Sequence, residues 1–241
     1  MKEPAAVELT DSLAAAGFLC LGGFKPGPDD LVPDRADDRP VKSLLLIGST
    51  GPSLWPFLRQ SPEHRDGKPD PLDRYTRRVL RDVGNGNGFD VLFPFDGPPY
   101  HPFQRWALRC GGFSQSPLGV LAHTDYGPWT GFRAAFLSSG PEIDVAASLA
   151  SGPCETCRDK PCLGACPVDA ITLTDGYDVP KCRDHLRSES TTECWSGCLA
   201  RQACPFGASH QQDAETANLH MKSFVGPTGQ NEHPDNKSMR N

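Results

Sequence analysis

Eight of the chain's ten cysteines fall between residues 154 and 204, and two of them are followed by proline. The first group is Cys154, Cys157, Cys162 and Cys166-Pro167; the second is Cys182, Cys194, Cys198 and Cys204-Pro205. Eight thiolates are what two [4Fe–4S] cubanes require, four for each. Short spacings let three successive thiolates curl around one cluster, while the cysteine before proline points away to serve the other. Crossing the fourth ligands places Cys154, Cys157, Cys162 and Cys204 on one cluster. Cys166, Cys182, Cys194 and Cys198 then hold the second. Proline fixes φ and carries no N–H, which helps turn the chain away at those points. Such clusters hold and pass single electrons, so the spacing points to redox chemistry.

Two other readings use the same thiols. Zinc is often held by four cysteines, although it requires neither Cys-Pro pairs nor two interleaved sets. Disulfides suit secreted chains, but Met1-Lys-Glu-Pro leads into a mixed polar segment without an apolar leader. A cytosolic chain this rich in cysteine uses them for metal more readily than for bridges.

The elements that must position these residues are legible in outline. Residues 5–16 are expected to form an amphipathic helix with Val7, Leu13 and Ala14 to Ala16 on its apolar side. Residues 17–24 read as extended, residues 26–40 as a Pro- and Asp-rich loop, and 43–47 as a buried central strand ended by Gly48. Gly48, Ser49 and Thr50 then open a small-residue turn into a short helix. Such turns seat anionic or planar ligands through free backbone N–H groups; the bland alternative is a structural turn. Asp70-Pro71 has the form of an N-cap and first helical position. Leu72, Tyr75, Val79, Leu80 and Val83 follow at helical spacing, with Arg74, Arg77, Arg78 and Arg81 on a solvated face. A strand over 89–95, a turn over 97–102 that includes Tyr100 and His101, and a helix over 102–110 follow. Strands over 118–123 and 129–137 flank Asp125. Cys20 and Cys110 stand apart from the eight and read as structural. Beyond Phe206 the chain is polar, and 226–241 reads as a mobile tail.

The 241 residues carry 24 Lys and Arg against 30 Asp and Glu, a formal net charge of −6. That balance argues against general nucleic-acid binding, which favours a basic surface. No run approaches the roughly 18 apolar residues of a membrane span, so the expectation is a cytoplasmic protein; its oligomeric state is not legible. Three segments are expected: a front domain over 1–149, a cluster module over 150–208, and a polar C-terminal tail over 209–241.

Two resemblances extend this reading. Pro167-Val-Asp-Ala-Ile171 after Cys166 resembles the two-cluster bacterial ferredoxins, although Cys157 to Cys162 is wider than that family's usual spacing. The front segment resembles the cobalamin-handling branch of the nitroreductase-like fold, which includes the CblC-type cobalamin-processing chaperones and epoxyqueuosine reductase. Leu44-Leu-Leu-Ile47, Asp70-Pro-Leu-Asp73 and Leu121-Ala-His-Thr-Asp-Tyr-Gly-Pro-Trp-Thr-Gly-Phe-Arg133 carry it. The implied fold class is α+β: a nitroreductase-like front domain followed by a ferredoxin-like two-cluster module. Arg133 falls where the chaperones have an arginine that contacts a thiol cosubstrate, and His123 lies on the same expected strand pair. Tyr126, Gly127 and Trp129 are implied to face a bound cobalamin. The helical-repeat region of epoxyqueuosine reductase is not found here, which argues against queuosine chemistry.

Three functions compete. The first is an oxidoreductase in which two [4Fe–4S] clusters deliver electrons to a corrinoid held by the front domain. The second is a ferredoxin-like carrier whose front domain docks a redox partner protein. The third is a flavin-linked reductase using the turn at Gly48. Each singled-out residue also has a structural reading: Trp129 as core, His123 as a loop histidine paired with Asp125, and Arg133 as half of a buried ion pair.

Overall fold

The computed structural model of the protein describes residues 4–140 and 151–226. The expected boundary between residues 149 and 150 and the tail beyond residue 226 lie outside them. In chain order the front segment contains α1 (Pro4–Ala14), β1 (Leu19–Phe24), β2 (Ser43–Ser49), α2 (Gly51–Leu58), α3 (Pro62–Arg65), α4 (Pro71–Gly86), β3 (Asp90–Leu92), α5 (Phe103–Cys110), β4 (Phe113–Gln115), β5 (Leu121–His123) and β6 (Gly131–Ser138). The cysteine-rich segment contains β7 (Ile171–Thr172), β8 (Gly176–Tyr177), α6 (Val179–Ser188), α7 (Leu199–Gln202) and α8 (Ala214–Val225). The protein is a mixed α+β structure.

The apolar run of β2 is buried along its whole length, because it lies inside an antiparallel sheet of order β1-β2-β6-β3 covered on both faces. Alternation assigns its side chains. Leu45 and Ile47 pack with Leu9, Leu13, Leu54, Trp55 and Leu80 from α1, α2 and α4. Leu44 and Leu46 pack on the other face with Phe103, Trp106 and Phe113. Each such leucine contributes about 2 kcal/mol of burial. On α1 the buried positions are Leu9 and Leu13, whereas Ala14 and Ala15 are exposed. The apolar side is therefore narrower than the alanine run suggests.

Four expectations need correction. Gly48 and Ser49 belong to β2 rather than to a turn, and a Cβ on Gly48 would meet Leu21 at 2.3 Å. Asp70 takes a left-handed conformation (φ 53) and makes no side-chain cap to α4. The arginines of α4 are not merely solvated, since Arg74 pairs with Asp66, Arg77 with Asp96 and Arg78 with Glu63. The 121–137 strand pair does not form: β5 pairs with β4 in a separate two-stranded sheet, and β6 joins the main sheet.

The polar segment after Phe206 is likewise not a tail throughout. Asp213 accepts from the Thr216 N–H at 2.7 Å and caps α8. Ala217, Met221, Phe224 and Val225 then turn inward, the last three against Leu186 and Cys194.

Candidate functional site

A cavity of about 290 Å³ lies at the end of the β2–β6 pair where Ser49 faces Gly131. Its walls come from the start of α2, the Trp129 turn, Arg133 of β6, Arg201 of α7, and Gln212, Thr216, Leu219 and His220 in or before α8. Leu54, Trp55, Leu58 and Leu72 make one side apolar. Thr50 caps α2 by accepting from the Ser53 N–H at 3.3 Å, which fixes the mouth of that helix.

Close backbone approach joins the two walls. Gly127 has φ +55, and a Cβ there would fall 2.0 Å from the Phe206 carbonyl oxygen. Gly207 has φ +66, and its Cβ would meet the Tyr126 carbonyl at 2.3 Å. Only glycine serves on either side. A third contact lies under the first cysteines, where the Cys154 N–H donates to Ser114 Oγ at 3.1 Å.

Two guanidiniums line the cavity, and neither makes an ion pair among the described residues. Arg133 Nε donates to Ser49 Oγ at 2.8 Å. Arg201 donates from Nε to the Pro128 carbonyl at 2.9 Å and stacks over Trp129, 4.7 Å from the ring centroid. Burial pushes the pKa of each down to about 10, with Asp73 acting the other way on Arg133 and Cys198 on Arg201. His220 is pushed down to about 4, first by burial and then by Arg133 and Arg201. Asp73 in turn is raised by burial. Further unmet donors surround these charges. Trp55 Nε1, Trp129 Nε1, Thr130 Oγ1 and Thr216 Oγ1 are buried without a hydrogen-bond partner, and all four residues line the cavity.

The eight cysteines of the second half separate into two groups. Cys154, Cys157, Cys162 and Cys204 line one small cavity beneath Leu118 and Ala122. Cys166, Cys182, Cys194 and Cys198 line another, of about 240 Å³, with Ile171, Tyr177 and Phe224. Within each group the thiols raise one another's pKa, after burial. Cys162 responds to Cys204, Cys154 and Cys157; Cys182 responds to Cys198, Cys166 and Cys194. Tyr177 hydrogen-bonds the Cys182 thiol, and the Ala170 N–H donates to Cys166 Sγ at 3.3 Å. No disulfide forms: all ten cysteines are free. Among the described residues no three His, Cys, Asp or Glu side chains form a group that could hold a single metal ion. The sulfurs are thus grouped by fours around cavities rather than drawn to one point.

The expected front-site residues divide. Ser49, Thr50, Trp129 and Arg133 meet at the cavity; Gly48, His123, Tyr126 and Gly127 are not among its lining residues. His123 is buried in β5 with its ring 4.9 Å from Tyr126 and 4.7 Å from Phe113, and its Nδ1 accepts from the Asp125 N–H. Burial lowers its pKa, against Asp125, so it is a neutral packing residue. Trp129 sits in a turn rather than an alternating strand. Arg201 and His220 were not anticipated. The spacing of Ala217, Met221, Phe224 and Val225 behind Asp213 was a usable helix signal for the second; Arg201, among the cysteines, had none.

The comparisons with known proteins bear on this arrangement. The fold is similar to the solved structure of a C. elegans B12-trafficking protein, CblC, described as a homologue of human MMACHC. The TM-score is 0.55 at 12% identity, over 92% of this chain and 93% of that one. This is a CblC-like fold. At that identity the likeness speaks for the fold alone. No family model matches the sequence, and no curated protein does.

Proposed function

We propose that this chain is an iron–sulfur redox protein that acts on a corrinoid substrate received at the front cavity. The observation carrying the proposal is a shared wall. Val120, Arg201 and His220 line both the front cavity and the cavity of Cys166, Cys182, Cys194 and Cys198. A molecule in the first is separated from the second by side chains alone.

The residues fit two [4Fe–4S] clusters better than zinc. A cubane spreads its four thiolates over four irons, so its ligands ring a cavity instead of converging on one ion, as the two groups of four do here. Cys154, Cys157, Cys162 and Cys204 would hold one cluster; Cys166, Cys182, Cys194 and Cys198 the other. When bound, such a cluster stores and releases single electrons. The chain supplies the rest. Leu118, Leu163, Ile171 and Ala200 keep water from the sulfurs, while the Ala170 N–H and the Tyr177 hydroxyl donate to two of them. Burial and mutual repulsion hold the empty thiols protonated, so metal loading must release protons and weaken in acid.

The corrinoid part is supported by the CblC-like fold and by an amphipathic cavity with unmet donors. At about 290 Å³ the cavity is at the small end of ligand sites, about 300–1,000 Å³. It suits a side chain, an axial group or a small cosubstrate rather than the whole macrocycle. The flavin reading loses its phosphate loop, because Gly48 and Ser49 are strand residues with Gly48 against Leu21.

Anaerobic purification with iron and acid-labile sulfide analysis tests the cluster assignment. We expect about eight irons per chain, and about four after either Cys157→Ala or Cys198→Ala. Zinc in place of iron, or a full iron count in both variants, would sink it.

A further inference from the structure

We infer that Arg133 and Arg201 together form an oxyanion subsite, taking the carboxylate or phosphate of a ligand whose apolar part rests on Leu54, Trp55 and Leu58. The inference shares the cavity of the corrinoid reading and rests on its being a ligand site, but it needs neither corrinoid nor cluster.

Buried charges in proteins are paired, and the other buried arginine of this molecule obeys that rule, since Arg35 meets Asp90 at 3.0 Å. Arg133 and Arg201 do not. They face one cavity from two separate parts of the chain, repel each other, and depress His220 between them. The groups at hand cannot neutralise them. Asp73 acts on Arg133 only beyond ion-pair distance, and His220 is held neutral.

Nor are the neutral donors satisfied. Trp129 is 4% exposed and Thr216 also 4%, yet Trp129 Nε1 and Thr216 Oγ1 have no partner. Native proteins leave few such groups, and those left over need an explanation. Two guanidinium forks, an indole N–H and a hydroxyl around one space are the complement of a planar or tetrahedral oxyanion. A cation or a neutral apolar ligand would leave every one of these groups unmet. Nothing in the sequence alone would pair Arg133 with Arg201, because they are far apart in the chain and meet only once Gly127 and Gly207 have docked the two segments.

The test uses the full chain without corrinoid, at fixed ionic strength, with inorganic phosphate and hexanoate as calorimetric probes. We expect saturable one-to-one binding of at least one probe. Arg133→Gln and Arg201→Gln should each weaken it at least about tenfold, the loss of one charge-assisted hydrogen bond or more, while Arg78→Gln leaves it unchanged. Arg201→Lys guards against a folding artefact: it keeps the charge, so it should bind more weakly than wild type and more tightly than Arg201→Gln. No saturable binding, or equal binding in all variants, overturns the inference.

Cobalamin and cobinamide, which lacks the nucleotide phosphate, then distinguish the sources. Selective loss of cobalamin affinity in Arg201→Gln assigns the anion to the corrinoid's own phosphodiester; unchanged affinity for both assigns it to a separate cosubstrate. Probe binding without cobalamin binding would sink the corrinoid reading alone. Cobalamin binding without probe binding would sink the subsite alone.

Discussion

The arginines of α4 and those of the front cavity follow opposite rules. Arg74, Arg77 and Arg78 lie at the surface and each reaches a carboxylate; Arg133 and Arg201 are more deeply placed and reach none. Surface pairs of the first kind add little stability individually, about 0–1 kcal/mol. A desolvated charge without a partner costs several kcal/mol. The molecule therefore places its free charge where stability alone would remove it, and the difference marks the cavity as a place kept for a ligand.

The comparison can be broken most forcefully at the docking contact that brings the two cavity arginines together. Gly127→Ala forces a Cβ onto the Phe206 carbonyl and a left-handed conformation onto alanine, so it should cost about 3 kcal/mol. Thermal unfolding would check this. The account also requires cavity-ligand binding to fall with stability in that variant, since Arg201 loses its place opposite Arg133.

Next in size is the stability of the pairs themselves. Glu63 is held down to about 2, chiefly by the hydrogen bond from Arg78. A carboxyl depressed in the folded state stabilises above its unfolded value of 4.5, and that contribution is lost as pH falls from there toward 2. Because the Arg78 side chain is half exposed, solvent screening reduces the effect to about 1–2 kcal/mol. Glu63→Gln should be less stable than wild type at pH 7 by that amount and indistinguishable near pH 2 by denaturant titration.

The smallest change is expected from the opposite substitution in the cavity. Arg133→Met removes a charge that has no carboxylate and keeps a similar volume. It should leave stability unchanged or raise it by about 1 kcal/mol while ligand binding is lost. A loss of 3 kcal/mol or more, the cost of breaking a buried pair, would make Arg133 part of the scaffold and end the contrast with α4.

What the sequence made legible depended on range. β2 could be read because five apolar residues before a glycine leave few alternatives, and α5 and the body of α4 because their buried faces repeat at helical spacing. The partition of cysteines into two fours was readable from short spacings and the Cys-Pro pairs, and the structure gathers them into those same sets around two cavities. The residues of the front cavity were harder. Ser49, Thr50, Trp129 and Arg133 were singled out, but His123 and Tyr126 were drawn in because β5 and β6 were taken as partners. The pairing of β5 with β4 instead is a non-local choice that no local pattern encodes. Arg201 and His220 were missed for the same reason. They become site residues only when the cysteine-rich segment and α8 fold back over the end of the sheet.

The most direct test of the account is a titration of the anaerobically purified, iron-loaded protein with cobalamin, followed by visible spectroscopy after addition of one-electron reductant. The account predicts a saturable shift of the corrinoid bands on binding and their conversion to a reduced corrinoid spectrum. The conversion should be lost in Cys198→Ala, which removes a ligand beside the cavity wall, while binding is retained. Intact clusters with no corrinoid response would contradict it, leaving an electron carrier whose front cavity serves another ligand.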